Sequence, residues 1–113
     1  MDLIGHALRV SIFVGEDDMW QHTPLYHEIV RRAHEAGLAG ATVLHGVEGF
    51  GTASFIHTDR LLSMTEGLPI LVIIIDVEER IRAFLPQLDE IIAEGAVLVD
   101  EVEVVRTRGQ QRV

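Results

Sequence analysis

Residues 41–57 read ATVLHGVEGFGTASFIH, and the rest of the chain arranges itself around this stretch. Ala41-Thr42-Val43-Leu44 is apolar and β-branched, so it favours an extended backbone. It runs into a loop bearing Gly46, Gly49 and Gly51, with Gly40 just upstream. Glycine reaches positive φ freely and lets another backbone or a ligand approach closely. A strand entering such a loop presents successive N–H groups in a concave array that suits an anion. A wide bend through Gly49-Phe50-Gly51 is the plainer reading of the same residues.

Upstream, Ala7 to Val14 (ALRVSIFV) alternates, with Leu8, Val10, Ile12 and Val14 on one face and Arg9 and Ser11 on the other: a half-buried strand. Residues 15–20, GEDDMW, form an acidic loop, with Met19 and Trp20 expected to pack on the first helix. Thr23 is expected to cap that helix and Pro24 to open it. Leu25, Tyr26, Ile29, Val30, Ala33 and Ala36 recur at helical spacing, and Gly37 stops the helix.

Downstream, Thr58 is expected to cap one or two helical turns through Met64. Pro69 opens a strand over Ile70 to Ile75, and Asp76 with Glu79 has the spacing of a capping box for a second helix. Ile81, Phe84, Leu85, Leu88, Ile91 and Ile92 form its apolar stripe, interrupted by a Pro86 that should kink it. Ala96 to Val105 is the last strand, with Glu101 and Glu103 outward, and Arg106 onward is a polar tail.

The order βαββαβ predicts an α+β, ferredoxin-like sandwich: a four-stranded antiparallel sheet with two helices on one face. A sheet covered on one side should alternate in every strand. Ile70-Leu71-Val72-Ile73-Ile74-Ile75 is instead apolar on both faces. Leaving three aliphatic side chains in water forgoes about 1.5–3 kcal/mol each, so the second face is expected to meet other subunits in a homo-oligomer.

With 113 residues the chain suits a single domain, and its 48% hydrophobic content argues against disorder. A net charge of −9 disfavours nucleic acid as a partner. The absence of cysteine excludes thiol chemistry. All nine basic residues are arginine, which excludes Schiff-base and P-loop lysine chemistry. The acidic Met1-Asp2 start does not read as a signal peptide, and the apolar run from Leu68 to Ile75 is far below the ~20 residues of a membrane span. A cytoplasmic protein is expected.

Gly46-Val47-Glu48-Gly49-Phe50-Gly51 after a strand resembles the base of the T-loop in PII signalling proteins, with His57-Thr58 and Leu68-Pro69 in the order of the loop's return. The likeness is closer to the PII-like family called domain of unknown function 190. It rests on residues 14–18 (VGEDD), 24–26 (PLY), 36–43 (AGLAGATV), 49–51 (GFG), 56–58 (IHT) and 84–86 (FLP), nearly the whole chain. The resemblance implies a homotrimer around a central core, with an adenine nucleotide or related small molecule as effector in inter-subunit clefts. By position it places the ligand at Gly49, Phe50, Gly51 and Thr52, through backbone N–H groups. The chain departs from PII proteins in carrying Thr52-Ala53 where they carry arginine and glutamine. Only Glu94-Gly95-Ala96 stands in place of their lysine-bearing B-loop, and the lone tyrosine, Tyr26, is in the first helix. These departures weigh more against ATP than against a monophosphate or cyclic nucleotide. Arg60 and Arg106 are the candidates to supply phosphate-binding charge, while Arg108 reads as solvated surface.

Of the six histidines, His22, His27 and His34 lack the i, i+4 spacing of a helical zinc site. His45 and His57 flank the loop and could converge on a ligand or, as in the related CutA trimers, a metal or other ion. Glu16, Asp17 and Asp18 could bind a divalent ion or serve hydrolysis, but three adjacent acids are more often a solvated turn. No nucleophile–base–acid constellation appears, and no enzyme activity, resident cofactor or metal is expected. The leading expectation is a small regulatory trimer that signals through its Phe50–Gly67 loop to a protein target such as a membrane transporter. An ion-responsive CutA-like trimer ranks second and a hydrolase third.

Overall fold

The computed structural model describes residues 3–50 and 67–107. Four long strands, β1 (Gly5–Gly15), β4 (Ala41–His45), β5 (Pro69–Asp76) and β6 (Ala96–Val104), form an antiparallel sheet in the order β4-β5-β1-β6. Helices α1 (Leu25–Glu35) and α2 (Glu78–Ile91) connect them. The central pairing runs from Leu8↔Asp76 to Gly15↔Pro69, and β6 flanks β1 from Gly5↔Val104 to Phe13↔Ala96. This is the expected ferredoxin-like sandwich. It carries one addition: β2 (Met19–Trp20) pairs with β3 (Thr23–Pro24) in a small ribbon, turned at Gln21 with φ 53°.

Alternation sets the core. Leu8, Val10, Ile12 and Val14 of β1 and Ile70, Val72 and Ile74 of β5 point to the helices, where Leu25, Ile29, Ala33, Ile81, Phe84, Leu88 and Ile91 close over them. Ala36, expected in the α1 stripe, is exposed. The helix ends in the pattern that glycine permits: Gly37, at φ 76°, donates to His34 O and Leu38 donates to Ala33 O. Helix α2 runs continuously past Pro86. Among the described residues no helix is long and apolar enough to cross a membrane.

Three local expectations are corrected. Thr23 does not cap α1; it belongs to the ribbon, and the residue before the helix is Pro24, with no side-chain cap. Asp76 does not cap α2 with Glu79, because the strand carries it into the interior and Val77 takes the cap position. Met19 is exposed rather than packed, whereas Trp20 does pack on the core under the Arg32 guanidinium, 5.1 Å from the ring centre. The turns expected between Thr58 and Met64 lie outside the described residues.

Glu28 is the buried carboxylate of α1, and two guanidiniums hold it: Arg31 Nη2 and Arg32 Nε each lie 2.7 Å from Oε2. Hydrogen bonds from Arg31, then from Arg32, pull its pKa from 4.5 to about 2. The folded value is the lower one, so the contribution is complete above about pH 4.5 and is lost as the pH falls towards 2. Because Arg31 is half exposed, solvent discounts it to about 1–2 kcal/mol. Glu28→Gln is therefore expected to lower the urea midpoint at pH 7 and to flatten the loss of stability between pH 4.5 and 2. An unchanged acid limb in the variant would remove Glu28 as its source.

Among the described residues nothing covers the far side of the sheet. Phe13, Leu71 and Leu44 share one row across β1, β5 and β4; Leu98, Ser11, Ile73 and Thr42 form the next. Phe13 is 44%, Leu44 48% and Leu98 51% exposed, an apolar surface interrupted by the Arg9–Asp100 ion pair at 2.7 Å. The two-sided character of β5 thus lies on a face with no partner among the described residues.

Candidate functional site

Four chain segments meet at one end of the sheet: the turn after β1, the start of α1, the exit of β4 and the entry to β5. Antiparallel pairing of β5 with both β1 and β4 brings them there. Asp18 fixes the turn. Its Oδ2 accepts from Gly15 N (2.8 Å), its own N–H donates to Gly15 O (3.2 Å), and its carbonyl accepts from Leu25 N (2.8 Å). Glu16 N donates to Leu68 O at 2.9 Å, and Gly46 N donates to Pro69 O at 2.8 Å. Both roots of the long connection between β4 and β5 are thereby pinned to the sheet.

These bonds define what the glycine loop offers. The Gly46 N–H is consumed by Pro69, so it is withdrawn from any anion site. A Cβ at Gly46 would stand 2.7 Å from Pro69 Cγ, which makes glycine there a condition of close packing. Gly49 has φ 153° and also lies over Pro69, and Phe50 beyond it is 81% exposed. Gly51, Thr52, His57 and Arg60 fall outside the described residues.

The expected acidic trio divides by role. Asp18 is engaged by backbone, and Glu16 Oε2 lies 3.6 Å from His45 Nε2. The His45 ring stands edge-on to Tyr26, with centroids 5.8 Å apart and an interplanar angle of 82°. Among the described residues no cluster of three or more histidine, aspartate or glutamate side chains could hold a metal.

Arg106 does not join this end. It follows β6, whose Val104 pairs with Gly5, so the 11-residue length of β1, about 36 Å at ~3.3 Å per residue, separates it from the loop base within one chain. Nearby, Thr107 Oγ1 accepts from Leu3 N and donates to Leu3 O, both at 2.8 Å. A cleft of about 330 Å³ opens here, lined by Leu3, Ala39–Thr42, Ile73, Ile75 and Thr107. Sequence reasoning missed it; its only trace is the run of small residues at Ala39-Gly40-Ala41, which leaves room beside the sheet.

Asp76 anchors Ala39, one of the residues lining that cleft. Fully buried, it accepts from Ala39 N at 2.9 Å through Oδ2 and from Val77 N at 2.7 Å through Oδ1. Arg80 Nε approaches Oδ2 at 3.2 Å, and the Arg80 guanidinium also donates to Gly37 O. One carboxylate thus ties the α1–β4 connection to the start of α2.

Residues 7–104 match the family domain of unknown function 190, described as an uncharacterized ACR. A UPF0166 protein of Aquifex aeolicus is 36% identical over 96 residues, 85% of this chain and 90% of that protein. A UPF0166 protein of Methanocaldococcus jannaschii is 28% identical over 93 residues, 82% of this chain and 85% of that one. Among solved structures, a Thermus thermophilus protein assigned as a PII-like signaling protein matches with TM-score 0.63 at 22% identity, over 91% of this chain and 93% of its own. CPII of Thiomonas intermedia, a nitrogen regulatory PII-like protein bound to ADP, AMP and bicarbonate, matches with TM-score 0.55 at 16% identity, over 88% and 94%. The chain shares its fold with these solved structures, and the family match across nearly its whole length makes it a member of the family domain of unknown function 190.

Proposed function

We propose that the protein is a small PII-like regulatory trimer, without catalytic activity, that binds a nucleotide-type effector between subunits and signals through the connection after β4. The observation that carries this reading is the fold shared with CPII, solved with ADP and AMP, over 88% of this chain. The uncovered apolar face supplies the reason to assemble, since three such faces turned inward remove Phe13, Leu44, Leu71 and Leu98 from water. Assembly also answers the separation seen within one chain. Arg106 lies at one end of the sheet and Gly49-Phe50 at the other, so a cleft using both draws them from different subunits. Gly51, Thr52 and Arg60 complete the proposed ligand set, and a membrane transporter or another protein is the target of the loop.

The test is a thermal-shift series with AMP, ADP, ATP, cyclic nucleotides and divalent metals, with light scattering for mass. A ligand present at about 100 times its Kd adds about 2.7 kcal/mol to a folded state that alone binds it. A rise in Tm with a nucleotide, on particles of trimer mass, is the expected result. Gly51→Ala should diminish that rise and leave the mass unchanged, because the sheet and the two helices build the described core. Particles of monomer mass would overturn the assembly; a trimer unmoved by every nucleotide would overturn the effector.

A further inference from the structure

We propose that His45 and Glu16 form a proton-operated latch at the roots of the 46–68 connection. The pair joins strands that are not neighbours, since β4 and β1 are separated by β5. Its two side chains meet across the entry of β5, where His45 is paired with Ile70 and Gly15 with Pro69. Both roots of the connection are one step from it. Gly46 follows His45 directly and donates to Pro69 O, and Leu68 O accepts from the backbone of Glu16 itself. A change in the attraction between the two side chains is therefore felt where the chain leaves the sheet and where it returns.

Histidine changes charge between pH 5 and 8. With the imidazole neutral, the 3.6 Å approach to Glu16 is weak; with it protonated, the same approach is an ion pair. Among the described residues no arginine is ion-paired with Glu16. The turn after β1 brings Glu16, Asp17 and Asp18, of which Asp18 is committed to Gly15 N. From α1, Tyr26 meets the ring edge-on; the described part of the connection brings Glu48; and Leu68, Pro69 and Ile70 at the entry to β5 carry no charge. Protonation tightens β4 against the turn after β1 and draws the two roots together; deprotonation releases them. The pair is half exposed, so the bias is a few-fold in the population of the closed base rather than an all-or-none change. The latch shares only the loop with the effector reading, and it is read without any ligand, so either can fail alone.

The experiment is an NMR titration of the full, uniformly ¹⁵N-labelled chain from pH 5 to 8, following the His45 imidazole and the amides of Gly46–Phe50 and Leu68. The expected result is one shared midpoint for the imidazole and those amides, with the amide movement reduced several-fold in Glu16→Gln and in His45→Gln. The β1 and β6 amides, which stay dispersed, certify that both variants are folded. Loop-base amides that ignore the His45 midpoint, or that move equally in Glu16→Gln, would overturn the latch.

Discussion

Asp76→Ala is expected to remove about 3 kcal/mol of stability, a large share of what holds a domain of this size. The substitution removes a carboxylate from a fully buried position. Its cost comes from the partners left behind: the Ala39 and Val77 N–H groups lose their acceptors, and Arg80 loses the carboxylate it approaches at 3.2 Å. Urea denaturation measures the loss, and hydrogen exchange locates it, because the Ala39 amide should lose its protection while the β1 amides keep theirs relative to the lowered global stability. Asp76→Asn should fall between the two, keeping one acceptor and presenting an amide donor where Arg80 and the Ala39 N–H require an oxygen. A loss below about 1 kcal/mol in Asp76→Ala would show that water replaces the carboxylate, and the α1–β4 connection would need another anchor.

Gly95→Ala is the second large effect. Gly95 lies between α2 and β6 at φ 152°, where a side chain is strained. A Cβ there would also stand 2.8 Å from Phe13 O, 3.1 Å from Val14 Cγ1 and 3.2 Å from Ile92 Cγ2. The first of these is backbone of the central strand and yields only by moving β1 against β6. Strain and overlap together are expected to cost about 2–4 kcal/mol, read as a lowered denaturant midpoint. Gly40→Ala is the matched control: no atom lies within 4 Å of its added Cβ, so it should stay within about 0.5 kcal/mol of the parent. Equal losses in the two variants would remove the close approach to β1 as the cause.

Period decided what the sequence could disclose. The alternation of Leu8 to Val14 and the stripe from Ile81 to Ile91 are long enough to fix element type and facing, and the βαββαβ order then leaves one sandwich to wind. Residues 70–75 disclosed more: because both of their faces are apolar, the open side of the sheet could be anticipated. What failed was local and depended on tertiary context. Asp76 has the sequence of a helix cap, but the last step of β5 turns it inward to bonds reaching 37 residues back, beyond any window of local spacing. Glu28 sits within the buried face of α1, where a carboxylate is unexpected until Arg31 and Arg32 are seen to close on it. Of the candidate site, only the glycines at the exit of β4 were legible; the sequence set His45 against His57, which lies outside the described residues, and not against Glu16. The consumption of the Gly46 N–H by Pro69 was not legible either, because it depends on strand register.

The reciprocal bonds between Leu3 and Thr107 have a mechanical consequence. They close the end of the β1–β6 ladder at which β1 begins and β6 ends, opposite the end where both strands join the rest of the fold. Tension applied across these two residues acts perpendicular to the strands and along the ladder's hydrogen bonds, so it loads them one after another, beginning at Gly5↔Val104. The molecule is thus built to peel rather than to shear when pulled at this end. The Thr107 hydroxyl is the first bond to take the load, and the roots of the long connection, at the far end of β1, are the last to feel it.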